Sequence, residues 1–154
     1  MRVSTVVAAT AALALVTVGS TVMATGVSAA KKPVPRLVVV PSGRLRNKET
    51  VRVRGINFVP KDTVYLVECL ATAKGQGNCD LATATAVTIN AKGQLPWTTF
   101  TVVTGTIGKG TCGTTRANAK ACELSVGNVR AEDTASTRIT FVVPAVKSTT
   151  KSRA

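Results

Sequence analysis

Four cysteines and no histidine set the chemistry open to this 154-residue chain. Cys69 and Cys79 enclose residues 70–78, and Cys112 and Cys122 enclose residues 113–121, so both gaps hold nine residues. A zinc site of thiolates needs short C-x-x-C pairs, and one of mixed ligands needs histidine; neither pattern is present. Without histidine there is also no base for a Ser–His or Cys–His nucleophile pair. Glu132 and Asp133 are adjacent, so on an extended segment they point apart and make a loop rather than an acid–base pair. No constellation for catalysis remains, and no metal or cofactor is called for. In an exported chain the four thiols read as two disulfides, with the three connectivities of four cysteines all open.

Export is the reading of residues 1–30. Met1-Arg2 supplies a positive start, Val6–Val18 an apolar run short for a bilayer, and Val27-Ser28-Ala29-Ala30 a small-residue cleavage site. The alternative is a retained anchor, but no stop-transfer charges follow the run. Cleavage after Ala29 or after Ala30 fits equally well. The mature protein is then one domain with no membrane span, secreted as a monomer.

The formal net charge is +13, of which only Arg2 lies in the leader. Such a balance draws nucleic acid, anionic lipid or cell-wall polymers by counterion release. The basic residues that share a surface are Lys31, Lys32 and Arg36 in a proline-broken lead-in (31–36), and Arg52 and Arg54 on one strand face. No recognition helix is present for a DNA groove, and stacking aromatics are scarce. A further basic stretch, 144–154, reads as a flexible tail.

Strands must position these residues, for no segment has helical periodicity. Thr50–Cys69 is the organising pair. Val51 and Val53 alternate with Arg52 and Arg54, the period-2 pattern of a half-buried strand, and Gly55 interrupts it as a bulge would. Pro60-Lys61-Asp62 makes a turn. Thr63–Cys69 then carries Val64 and Leu66 on one face and Tyr65, Val67 and Cys69 on the other, as a central strand covered on both sides does. Further strands are read at Leu37–Val40, Thr83–Asn90, Leu95–Val103, Glu123–Val129 and Thr137–Val143. Asn90–Gly93 is a hairpin turn, with Gly93 at positive φ, and Pro96 marks an edge strand. Thr104–Gly110 reads as a loop. Trp97 is expected in the core, and the Tyr65 hydroxyl on a neighbouring turn. Glu123, Ser125 and Gly127 share one face at period 2: either a roomy polar wall or an ordinary solvated face.

The ordered set resembles the neocarzinostatin family of secreted actinobacterial apoproteins, whose best-known members carry an enediyne chromophore. The segments that carry the resemblance are ETVRVRGINFVPKDTVYLVECLA (residues 49–71), the turn Asn90–Gly93 and Cys122–Gly127. The resemblance spans Leu37–Val143 and implies an all-β, immunoglobulin-like sandwich of seven antiparallel strands. It also implies the pairing Cys69–Cys79 and Cys112–Cys122. It places a cleft for a small, non-covalent apolar ligand at Cys69, Ala71, Cys79, Ala84, Glu123, Ser125 and Gly127. Chromophore binders of the family carry rings where this chain has Ala71 and Ala84, and a longer aromatic loop where it has Thr104–Thr111. Weak affinity for flat conjugated molecules follows, because rings supply much of the contact with such ligands. From a different class, the basic surface alone predicts a DNA- or polyanion-binding antimicrobial protein with no small ligand.

Overall fold

The computed structural model describes residues 32–72 and 75–143. Residues 1–30, read as a leader, Lys31, and residues 144–154, read as a tail, lie outside the described residues. Among the described residues nine strands run in the order β1 (Arg36–Val40), β2 (Thr50–Ile56), β3 (Thr63–Leu70), β4 (Thr85–Thr88), β5 (Leu95–Thr101), β6 (Gly105–Ile107), β7 (Gly110–Cys112), β8 (Cys122–Gly127) and β9 (Ala135–Arg138). Seven of them form two antiparallel sheets, β1-β2-β5 and β4-β3-β8-β9, and β6-β7 is a separate hairpin. The all-β sandwich with two disulfides is as expected.

Alternation in the chain dictates which faces meet. Leu37, Val39, Val51, Val53, Leu95 and Phe100 leave one sheet; Val64, Leu66, Leu124 and Val126 leave the other. All are buried in one aliphatic core. Gly55 sits where the β2–β5 register shifts, and a Cβ there would meet the Phe58 ring at 2.5 Å. Only glycine lets that ring close over the bulge. Gly93 takes φ +71° in the Asn90–Gly93 turn, where the Asn90 Oδ1 accepts from the Lys92 and Gln94 backbone N–H groups. At the Pro60–Asp62 turn, the Asp62 Oδ1 accepts from the Thr63 N–H at 2.8 Å.

Several expectations are corrected. Arg36 belongs to β1, not to a lead-in. Thr104–Gly110 is no loop: with Thr111 and Cys112 it folds into the β6–β7 hairpin. The strand read at Thr83–Asn90 shrinks to β4, because Leu81–Thr83 forms a 3-10 turn. The last strand begins at Ala135 and ends at Arg138. Beyond it the chain leaves the ladder and bonds backbone to Ser42, Leu45, Ala119 and Cys122, so that Ile139 and Phe141 enter the core from an irregular segment. Val129, the end of the strand read at Glu123–Val129, lies past β8 and is exposed.

Trp97 is not in the core. It lies on β5, the edge strand announced by Pro96, and is 46% exposed, with Arg52 and Arg54 stacked on its ring. Cation–π contact gives the indole a partner without burying it. Asp133 is the reverse case. It is fully buried, its Oδ2 accepting from the Val59 N–H at 2.6 Å, while its neighbour Glu132 faces solvent.

Candidate ligand cleft

The outer face of the four-stranded sheet is concave. β3 turns Tyr65, Val67 and Cys69 outward, the same face that period 2 assigns them, and β8 turns out Glu123, Ser125 and Gly127 beside them. Register sets Cys69 opposite Glu123, Val67 opposite Ser125 and Tyr65 opposite Gly127, so the six side-chain positions form three adjacent rows. Over this floor lies a cleft of about 600 Å3.

The first disulfide builds one wall. Cys69 lies near the end of β3, and its bond to Cys79 holds Gly75, Gln76 and Cys79 at the edge of the floor, with the Asp80 N–H donating to the Glu68 carbonyl at 2.9 Å. Gly75, Gln76, Leu81 and Ala84 then face the floor from that side. The opposite wall is the β8–β9 connection, including Val129, Ala131 and Thr134. Small residues keep the space open: a Cβ on Gly127 would stand 3.0 Å from the Thr134 Cγ2.

Six of the seven positions expected in a cleft therefore converge on this space: Cys69, Cys79, Ala84, Glu123, Ser125 and Gly127. Ala71 does not line it. Its N–H is engaged with the Ala121 carbonyl at 2.8 Å, one step past the end of β3, where the chain has already turned away from the floor. Tyr65, expected to bond a turn through its hydroxyl, instead lines the cleft, and its hydroxyl has no hydrogen bond among the described residues. The outward face of β3 was the signal for it. Among the described residues Glu123 is the one charged side chain in the lining, and its Oε1 accepts from the Ser125 hydroxyl at 3.2 Å. Arg138 stands opposite it on β9 without an ion pair; among the described residues the salt bridge present is Arg130–Glu132.

Behind the floor, Glu68 is fully buried on the inner face of β3. Burial pushes its carboxyl up from 4.5 to about 7, against the stabilising Val103 N–H, which donates to Oε2 at 2.9 Å, and with help from the negative charge of Asp80. The Glu68 carboxylate lies within 4.8 Å of the sulfurs of Cys112 and Cys122. Those sulfurs are spent on each other in the second disulfide, so the group holds no thiolate to bind a metal. Of the expected polyanion residues, Lys32, Arg36, Arg52 and Arg54 are exposed, on or beside the three-stranded sheet and away from the cleft.

Comparison with known proteins places this geometry. The model of the neocarzinostatin family matches residues 37–141. Among solved structures, macromomycin is 26% identical, with 70% of this chain and 99% of that one covered and a TM-score of 0.55. Apokedarcidin, 22% identical with coverage of 71% and 100% and a TM-score of 0.50, shares the fold. No curated protein sequence matches the chain. With the family model matched over more than half of its length, the chain belongs to the neocarzinostatin family, a family of binding proteins and not of enzymes.

Proposed function

We propose that the protein is a secreted, monomeric carrier that holds a small, largely apolar molecule non-covalently in the cleft. One observation carries this reading: the outer face of the central strand β3 is apolar, Tyr65, Val67 and Cys69 being left to line a space of about 600 Å3 instead of being covered by another element. That volume suits a ligand of drug-like size, and concave apolar walls with a few polar groups are the usual form of such sites. Tyr65 is the single aromatic side chain in the lining, so flat conjugated molecules gain little stacking there. Secretion is proposed from the leader-like residues 1–30; among the described residues no helix is long and apolar enough to cross a membrane.

Titration calorimetry with a panel of apolar small molecules, flat conjugated dyes among them, tests the reading. Gly127→Trp fills the cleft after a small displacement of Thr134, and Ala84→Trp fills it from the opposite wall. Binding to the wild type that both variants abolish, with weak affinity for the dyes, is the expected result. Binding unchanged in both variants would move the site elsewhere.

The charge supports a second reading, non-specific attachment to DNA or to anionic cell-wall polymers with antimicrobial effect. The exposed Arg36, Arg52 and Arg54 and the net +13 favour it. Affinity should then fall steeply with salt and be indifferent to base sequence. Sequence-selective binding that survives high salt would contradict it.

A further inference from the structure

The outer face of the three-stranded sheet, on the side of the sandwich away from the cleft, carries a pattern that ligand carriage does not use. Register sets Arg36 opposite Ile56, Val38 opposite Arg54 and Val40 opposite Arg52. Residues directly opposite in an antiparallel pair share a face, so each of the three rows couples one guanidinium with one aliphatic side chain. All six are exposed. Trp97 completes the face from β5, with the guanidinium carbons of Arg52 and Arg54 at 4.5 and 5.0 Å from its ring centroid. None of the seven acidic residues lies in β1, β2 or β5.

We propose that this face docks on an anionic phospholipid bilayer. The arginines lie against lipid phosphates, and Val38, Val40, Ile56 and Trp97 enter the boundary between headgroups and acyl chains. Charge complementarity selects an anionic partner, since three cations stand there with no acid to offset them. The aliphatic side chain in every row selects a partner with an apolar layer beneath its charge, which a polyanion in solution lacks. A single-stranded nucleic acid would stack its bases on a free ring, whereas Trp97 already carries two guanidiniums. An indole at the headgroup level is in its preferred place, and arginine stems bury readily beside it. Docked this way, the protein turns its cleft away from the membrane. The proposal is independent of what the cleft holds.

Trp97 is the single tryptophan of the chain, so its fluorescence reports on this face alone. Purified protein is titrated with phosphatidylcholine vesicles and with vesicles containing phosphatidylglycerol, with and without brominated acyl chains. A blue shift and bromine quenching on the anionic vesicles, and neither on the neutral ones, is expected. Arg52→Gln/Arg54→Gln, checked for folding by circular dichroism, should weaken binding roughly thirtyfold at low salt, the effect of two interfacial cations. Val38→Ser/Val40→Ser should keep the salt-sensitive attraction and lose most of the quenching. Emission that is neither shifted nor quenched on anionic vesicles overturns the proposal. So does an equal response from the double arginine variant, which would mean that another segment drives insertion. Tighter binding to single-stranded DNA than to anionic vesicles at the same salt would assign the face to nucleic acid instead.

Discussion

Replacing Glu68 by glutamine should remove most of the pH dependence of stability between about pH 4 and about pH 8. The carboxyl is fully buried on the inner face of β3, with Oε2 bonded to the Val103 N–H and Oε1 without a partner among the described residues. Its folded-state pKa is raised from 4.5 to about 7. A raised pKa on an acid means that the folded protein holds a proton which the unfolded chain releases. The stabilisation is therefore fully present below the unfolded value and is lost as pH rises through about 7. At about 1.4 kcal/mol per pK unit the loss is about 3 kcal/mol, a large share of the net stability of a small domain. Urea unfolding of the disulfide-intact protein across this pH range measures it. Wild type should weaken toward alkaline pH, whereas Glu68→Gln, which keeps an acceptor for Val103 but cannot ionise, should stay nearly flat. The two curves should cross, the variant being the less stable in acid, where its amide carries two buried N–H donors in place of the single O–H of the protonated acid. Parallel pH profiles would refute the assignment of a neutral, proton-holding Glu68.

Three further perturbations probe the frame. Cys112→Ala/Cys122→Ala opens the buried staple between the β6–β7 hairpin and β8, and the chain-entropy cost of so short a loop is about 3 kcal/mol, read as a lower urea midpoint. Gly93→Ala should cost about 1–3 kcal/mol, because the residue holds φ +71° and the new Cβ would fall 2.6 Å from the Phe58 carbonyl oxygen; an unchanged thermal midpoint would contradict this. Asp133→Ala strands the Val59 N–H and should cost about 1–3 kcal/mol, whereas Glu132→Ala, which breaks an exposed pair with Arg130, should cost under about 1 kcal/mol.

What could be read before the structure was what period 2 encodes. The alternations in β2, β3 and β8 assign Val51, Val53, Leu66, Leu124 and Val126 to the core, and Tyr65, Val67, Glu123 and Ser125 to the other side. The same alternation puts Glu68 inward beside Val64 and Leu66, but a lone acid in a strand does not disclose that a backbone N–H from residue 103 will meet it. Trp97 was misread for a related reason. Its partners, Arg52 and Arg54, are more than forty positions away, so the contact that keeps the ring outside depends on β2–β5 pairing. The segment after Arg138 has strand composition, yet long-range backbone bonds to Ser42 and Ala119 take it out of the ladder. The cleft was legible as a place from β3 and β8. Its second wall, the β8–β9 connection, was not, since nothing in residues 128–134 marks them as facing Cys79 and Ala84.

The carrier reading is tested most directly by native mass spectrometry of the protein collected from the culture medium of its own host, as wild type and as Gly127→Trp. The account predicts a small-molecule adduct on the wild type that gentle activation releases intact, and none on the variant, whose indole occupies the cleft beside Thr134. A wild type that carries no adduct, or an adduct that persists unchanged on Gly127→Trp, would contradict it.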